Sequence, residues 1–154
     1  MSALFSTIYE FFADFYGTAL AQHLAGWDGT NFNSTVVYTH TGTAMLIVPA
    51  LAMLIFYYLI NSTRFNKAVH WLAYGLIWAV VFGLGITYYV SLDSPDRIAQ
   101  DIAPSISFAN FAAFGTVNAL YFWLLFVVYS FIGRRGSRNA STCPVPMRNI
   151  GIMH

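Results

Sequence analysis

Charge is what this chain lacks most. Between Asp28 and Arg64, between Lys67 and Asp93, and between Asp101 and Arg134 there is no Asp, Glu, Lys or Arg. Only 8% of the residues are charged, against roughly 25% in a soluble globular domain. A soluble fold of 154 residues with 58% hydrophobic content could not hide that much apolar surface. There is one cysteine, Cys143, which excludes an internal disulfide and suggests no zinc cluster. The net charge is only +1, so no bulk field favours nucleic acid as a partner. A P-loop, a dinucleotide fingerprint, a nucleophile elbow and an HExxH pair are all missing. No enzyme activity, cofactor or metal is therefore expected. The lack of ionisable groups within the apolar stretches also argues against a proton pump or an ion-coupled carrier. The first 25 residues hold no Lys or Arg, and Glu10 and Asp14 interrupt them. They fit neither a secretory signal nor an Arg-rich presequence, and are expected to belong to the mature protein.

What is present fills the gaps. Each is long enough to cross ~30 Å of hydrocarbon, which takes about 20 mostly apolar residues. The spans are predicted at 43–61, 69–91 and 106–132. Pro49 should kink the first, and Tyr57–Tyr58 and Tyr88–Tyr89 mark span ends as interfacial anchors. The expected fold is an all-α integral membrane protein of three transmembrane helices plus an N-terminal amphipathic helix over 1–25. Leu4, Phe5, Ile8, Phe11, Phe12 and Phe15 form one face of that helix, and Ser6, Glu10 and Asp14 the other. It either lies in the interface or forms a fourth span. Residues 26–42 are read as an outer loop, 43–132 as the three-helix domain and 133–154 as a basic inner tail. A short surface helix over 95–103 is also expected.

Short loops rich in Lys and Arg stay on the cytoplasmic or matrix side. Arg64 and Lys67 share a loop, and Arg134, Arg135 and Arg138 follow the last span. Three spans put these two segments on one side, with the C-terminus inside, in a bacterial inner membrane or alternatively a mitochondrial one.

Candidate sites follow from the same reasoning. Gly75, Ala79 and Gly83 recur four apart on one helical face, a spacing that lets two helix backbones approach in lipid. The contact expected is with another span of the same chain, the alternative being a second copy. The first half of the third span is small and polar, including Asn110, Ala112 and Asn118, and is expected to pack against protein. An amide in hydrocarbon needs a partner, so Asn118 is read as a helix–helix hydrogen bond. Glu10 and Asp14, one helical turn apart, form a possible acidic site whose default is a solvated face; it would become functional if that helix crossed the bilayer. His40 and His70 fall near opposite ends of different spans and are poorly placed to share a metal. In the tail, Arg134, Arg135, Arg138 and Arg148 suit anionic head groups. Pro144, Pro146 and nearby apolar groups add what a purely electrostatic tail would not need, and together these residues are read as docking a soluble partner.

The function expected is thus a non-enzymatic membrane subunit that anchors or scaffolds a larger complex, with lipid, other subunits or copies of itself as partners. The three-span outline with a basic inner tail resembles small phage holins at the level of topology alone. That resemblance implies the alternative, a self-assembling pore former.

Overall fold

The computed structural model describes residues 2–26, 36–60, 67–93 and 106–133. Among these, about 92% are helical and none is in a strand. Three short helices, α1 (Ser2–Glu10), α2 (Ala13–Tyr16) and α3 (Thr18–Leu24), precede three long ones. These are α4 (Val36–Leu54, continuing as a π-helical turn, Ile55–Ile60), α5 (Ala68–Asp93) and α6 (Phe108–Gly133). The spans Val37–Ile60, Ala68–Leu92 and Phe108–Gly133 are each long and apolar enough to cross a membrane. Of an 18-residue apolar stretch in each, only 33%, 33% and 39% is buried within the protein. The exposed remainder is rich in Leu, Ile and Val, as lipid-facing surface requires.

α4 starts seven residues earlier than the predicted span, so 36–42 belong to the helix and not to a loop. The β-branched composition there is overridden by packing. Tyr38 is fully buried against the N-terminal helices, and Thr41 and Thr43 return their hydroxyls to the carbonyls of Val37 and Thr39. Pro49 is buried inside α4. The π turn follows, at a place where the consecutive Phe56 and Tyr57 are both buried. A wider turn rotates successive side chains less, so both rings can face inward. The predicted surface helix over 95–103 and the tail from 134 lie outside the described residues.

The long helices alternate in direction. At one rim, Tyr58 donates to the carbonyl of Gly133, the Trp71 indole N–H donates to Ser130 Oγ, and Tyr74 donates to the Ala52 carbonyl. At the other rim, called the upper, His40 Nδ1 and the Tyr89 hydroxyl share a hydrogen bond. The core splits accordingly. Ala52, Phe56, Trp71, Phe122 and Phe126 fill the lower half between three helices. In the upper half the N-terminal helices supply a fourth element, through Phe5, Tyr9, Tyr16, Leu20 and Leu24.

The N-terminal helix expected over 2–25 is present in three pieces, none long enough to span the bilayer. Phe5 packs on Gly42, while Tyr9 reaches Asn118 and Met45. Asn118 lies ten residues into α6, about 15 Å below its upper end at 1.5 Å per residue. The segment is therefore sunk into the upper half of the bundle. Its amphipathic face is divided: Phe5 is buried, whereas Phe11 is 82% and Phe15 61% exposed. The buried side is set by Phe5, Tyr9, Tyr16 and Leu20, which leaves Phe11 and Phe15 on the far side.

Candidate functional site

The most highly organised polar cluster is where this segment meets α4 and α6. Tyr9, Tyr16, Tyr38 and Asn118 are all 0% exposed. Their spacing explains the arrangement: Phe5, Tyr9, Tyr16, Leu20 and Leu24 lie four or seven apart, so all turn to one side of the pieces. The Tyr9 hydroxyl donates to Asn118 Oδ1 at 2.7 Å, and Asn118 Nδ2 donates to the Phe114 carbonyl at 2.9 Å. Tyr16 donates to the Tyr9 carbonyl at 3.0 Å and meets the Tyr38 hydroxyl at 2.9 Å. Tyr38 in turn reaches the Ala21 carbonyl at 3.2 Å. The rings of Tyr9 and Tyr38 stack with centroids 5.1 Å apart, and Phe114 lies against Tyr9, Tyr16 and Tyr38. One turn up α6, Asn110 Nδ2 donates to the Tyr16 carbonyl at 2.7 Å, while its Oδ1 accepts from the backbone and hydroxyl of Ser107. Both amides of the third span thus bond the N-terminal segment, where each interhelical bond contributes about 0.6 kcal/mol on average in lipid.

Gly17 makes the close approach possible. Its φ of 97° is one that side-chain-bearing residues rarely adopt, and an added Cβ would run into the Asn110 amide.

Burial pushes the Tyr16 hydroxyl up to about 12; its bond with Tyr38 acts in the opposite direction and the charge of Glu10 in the same one. Burial likewise raises Tyr9 well above the ordinary tyrosine value. The folded state thus prefers both phenols protonated. A folded pKa above the unfolded value of about 10 gives a stabilisation that is complete below pH 10 and is lost as the pH climbs through 12. The N-terminal helices are expected to become protease-sensitive between pH 10 and about 12 while the long helices persist, as read by limited proteolysis at stepped pH.

The other predicted residues are distributed around this cluster. Gly75 and Gly83 both face α6. A Cβ at Gly75 would strike the rings of Trp123 and Phe126, and one at Gly83 would lie 2.8 Å from the Gly115 carbonyl oxygen. Ala79 is buried in the lower core. Their contacts are within the chain. Ala112 lines an open groove of about 330 Å³ between α5 and α6, floored by Gly83, Gly115, Thr116 and Ala119. Glu10 and Asp14 are both exposed and lie in different helices, α1 and α2. Arg134, Arg135, Arg138, Pro144, Pro146 and Arg148 lie outside the described residues. Among the described residues no cluster of three or more His, Cys, Asp or Glu has the geometry to hold a metal.

The chain matches no known protein family, no curated protein and no solved structure.

The sequence points to Asn118 and its need for a partner, but not to the partner itself. Apolar periodicity favours the Phe residues over Tyr9 and Tyr16, although the spacing from Phe5 through Tyr9 and Tyr16 to Leu20 is a signal in the sequence. Chemically, the cluster is closed. Its hydroxyls are engaged by carbonyls, by an amide and by one another, which suits a structural lock.

Proposed function

We propose that this chain is a non-enzymatic membrane subunit that anchors or scaffolds a larger complex. One observation carries the reading: the interior is filled. Tyr9, Tyr38, Phe114, Phe122 and Phe126 are all fully buried along the axis, and no Asp, Glu, Lys or Arg is buried among the residues whose burial is described. A pore or carrier needs a polar path or a committed charge within the bilayer. A bundle sealed by rings offers instead a rigid body with lateral faces. The α5/α6 groove, with its small floor of Gly83, Gly115 and Thr116, is suited to close approach by a neighbouring helix. The basic tail, carrying Arg134, Arg135, Arg138 and Arg148, would meet a soluble component on the inner face of a bacterial inner membrane.

The reading is tested by reconstituting the full chain into liposomes that hold a potassium gradient, and by comparing chains with and without residues 134–154 in mild-detergent purification. The gradient is expected to persist, and defined soluble partners are expected to be lost with the tail. Collapse of the gradient at low protein-to-lipid ratio would replace this reading with a self-assembled pore. Unchanged partners without the tail would remove its docking role.

A further inference from the structure

We propose that the cleft between α4 and α5 is a binding site for one acyl chain of a glycerophospholipid from the leaflet at the upper rim, with the lipid phosphate held at His40 and Tyr89. Two cavities, of about 230 and 270 Å³, follow one another down this face and share Ile86 as a wall. The upper is bounded by His40, Thr41, Ala44 and Tyr89, and the lower ends at Trp78. Val81 and Tyr89, on the rim of the cleft, are 54% and 40% exposed, so the space opens sideways, toward where lipid lies.

Length and polarity identify the occupant. Eleven residues separate Trp78 from Tyr89 on α5, about 16 Å at 1.5 Å per residue. That is close to half of a ~30 Å hydrocarbon core, the depth of one leaflet. Below its mouth the cleft offers nothing polar to a guest. The Thr41 hydroxyl is committed to the carbonyls of Val37 and Tyr38, and the remaining walls are apolar or glycine. The polar pair stands only at the top, one turn inside the upper ends of both spans, at head-group level.

That pair fits an anion in either tautomer. His40 Nδ1 and the Tyr89 hydroxyl are 3.1 Å apart and share a single hydrogen bond. If Tyr89 donates, the imidazole carries its proton on Nε2 and keeps that donor. If Nδ1 donates, the Tyr89 O–H is the donor left over. One donor remains for a phosphate oxygen in each case. The polarity of the cleft thus runs in the same order as that of a lipid, from an anionic head to an apolar tail.

Gly85 supplies a clean test, because a Cβ placed there meets nothing within 4 Å. Gly85→Leu adds bulk to the lower cleft from a position where the Cβ itself displaces no neighbour. The full chain is reconstituted in nanodiscs of phosphatidylethanolamine and phosphatidylglycerol at a 3:1 ratio, released into mild detergent and weighed by native mass spectrometry. Circular dichroism checks helix content. The wild type is expected to retain one phospholipid per chain. Occupancy is expected to fall at least fivefold in Gly85→Leu and severalfold in the double variant His40→Ala/Tyr89→Phe, at unchanged helicity. Leu120→Ala, on the exposed side of α6, should retain it. The proposal is overturned if the wild type carries only detergent, if Gly85→Leu keeps the same adduct, or if the head-group variant does.

Discussion

A leucine at Gly115 is expected to separate α5 from α6 and to cost about 3 kcal/mol or more of stability. The cause is backbone proximity. A Cβ at Gly115 would lie 2.5 Å from the Gly83 carbonyl oxygen and would also run into the Thr87 hydroxyl. The Gly83 side is tight as well, with the Gly115 carbonyl at 2.8 Å and Ala119 Cβ at 2.9 Å. A flexible side chain can move out of the way, but a helix backbone cannot, so the axes must part. Overpacking a well-packed core costs about 1–3 kcal/mol. Here parting the axes also loosens the contacts of Gly75 with Trp123 and Phe126 and the Trp71–Ser130 hydrogen bond farther down the same interface. Lipid supplies no hydrophobic force to push the helices back together, since association there depends on close packing. Thermal unfolding in detergent, followed by circular dichroism, should show a large fall for Gly115→Leu and Gly83→Leu. Gly85→Leu, two residues along α5 but facing open space, should remain near wild type. Equal effects at positions 83 and 85 would mean that glycine content, and not the crossing, matters.

Tyr9→Ala is expected to release the N-terminal helices without unfolding the spans. Tyr9 is fully buried and touches three aromatic neighbours, Tyr38, Phe114 and Tyr121. Its hydroxyl satisfies Asn118. Removing a large buried ring costs about 3–5 kcal/mol, and the lower end applies where lipid can follow into the gap. At about 3 kcal/mol, amide exchange over residues 2–24 should quicken roughly 100-fold, at 1.4 kcal/mol per tenfold. Exchange in α5 and in the lower half of α6 should hardly change. Tyr9→Phe keeps the ring and loses only the bond to Asn118, so its effect should be smaller, about 0.6–2 kcal/mol. Unchanged protection of residues 2–24 in Tyr9→Ala would mean that other contacts hold the segment in place.

The contrast between these two predictions also marks what could be read from sequence. The three spans were legible because hydrocarbon imposes a severe rule: a long charge-free stretch has few alternatives to a helix across the bilayer. The Gly75–Ala79–Gly83 face was legible for a similar reason, since four-residue spacing on one helix is local information. That the face meets Gly115 was not legible, because it depends on how two helices are set against each other. The start of α4 was misplaced because Val36, Val37 and Thr39 favour strands on local grounds, while Tyr38 is held by residues 16 and 21, far away in sequence. The N-terminal segment was least legible. Its apolar periodicity centres on the Phe residues, whereas the buried side follows Phe5, Tyr9, Tyr16 and Leu20 at four- and seven-residue spacing and leaves Phe11 and Phe15 outward. Asn118 shows the boundary well: its burial implied a partner, and the identity of that partner needed the fold.

Three crossings would leave the two arginine-bearing segments on one side of the membrane. Single cysteines at positions 64 and 138, in a Cys143→Ser background, can be challenged in intact cells and in inverted vesicles with a membrane-impermeant maleimide. Both are expected to react from the same side, with cysteines at positions 28 and 96 reacting from the other. Reaction of positions 64 and 138 from opposite sides would contradict the three-span arrangement outright.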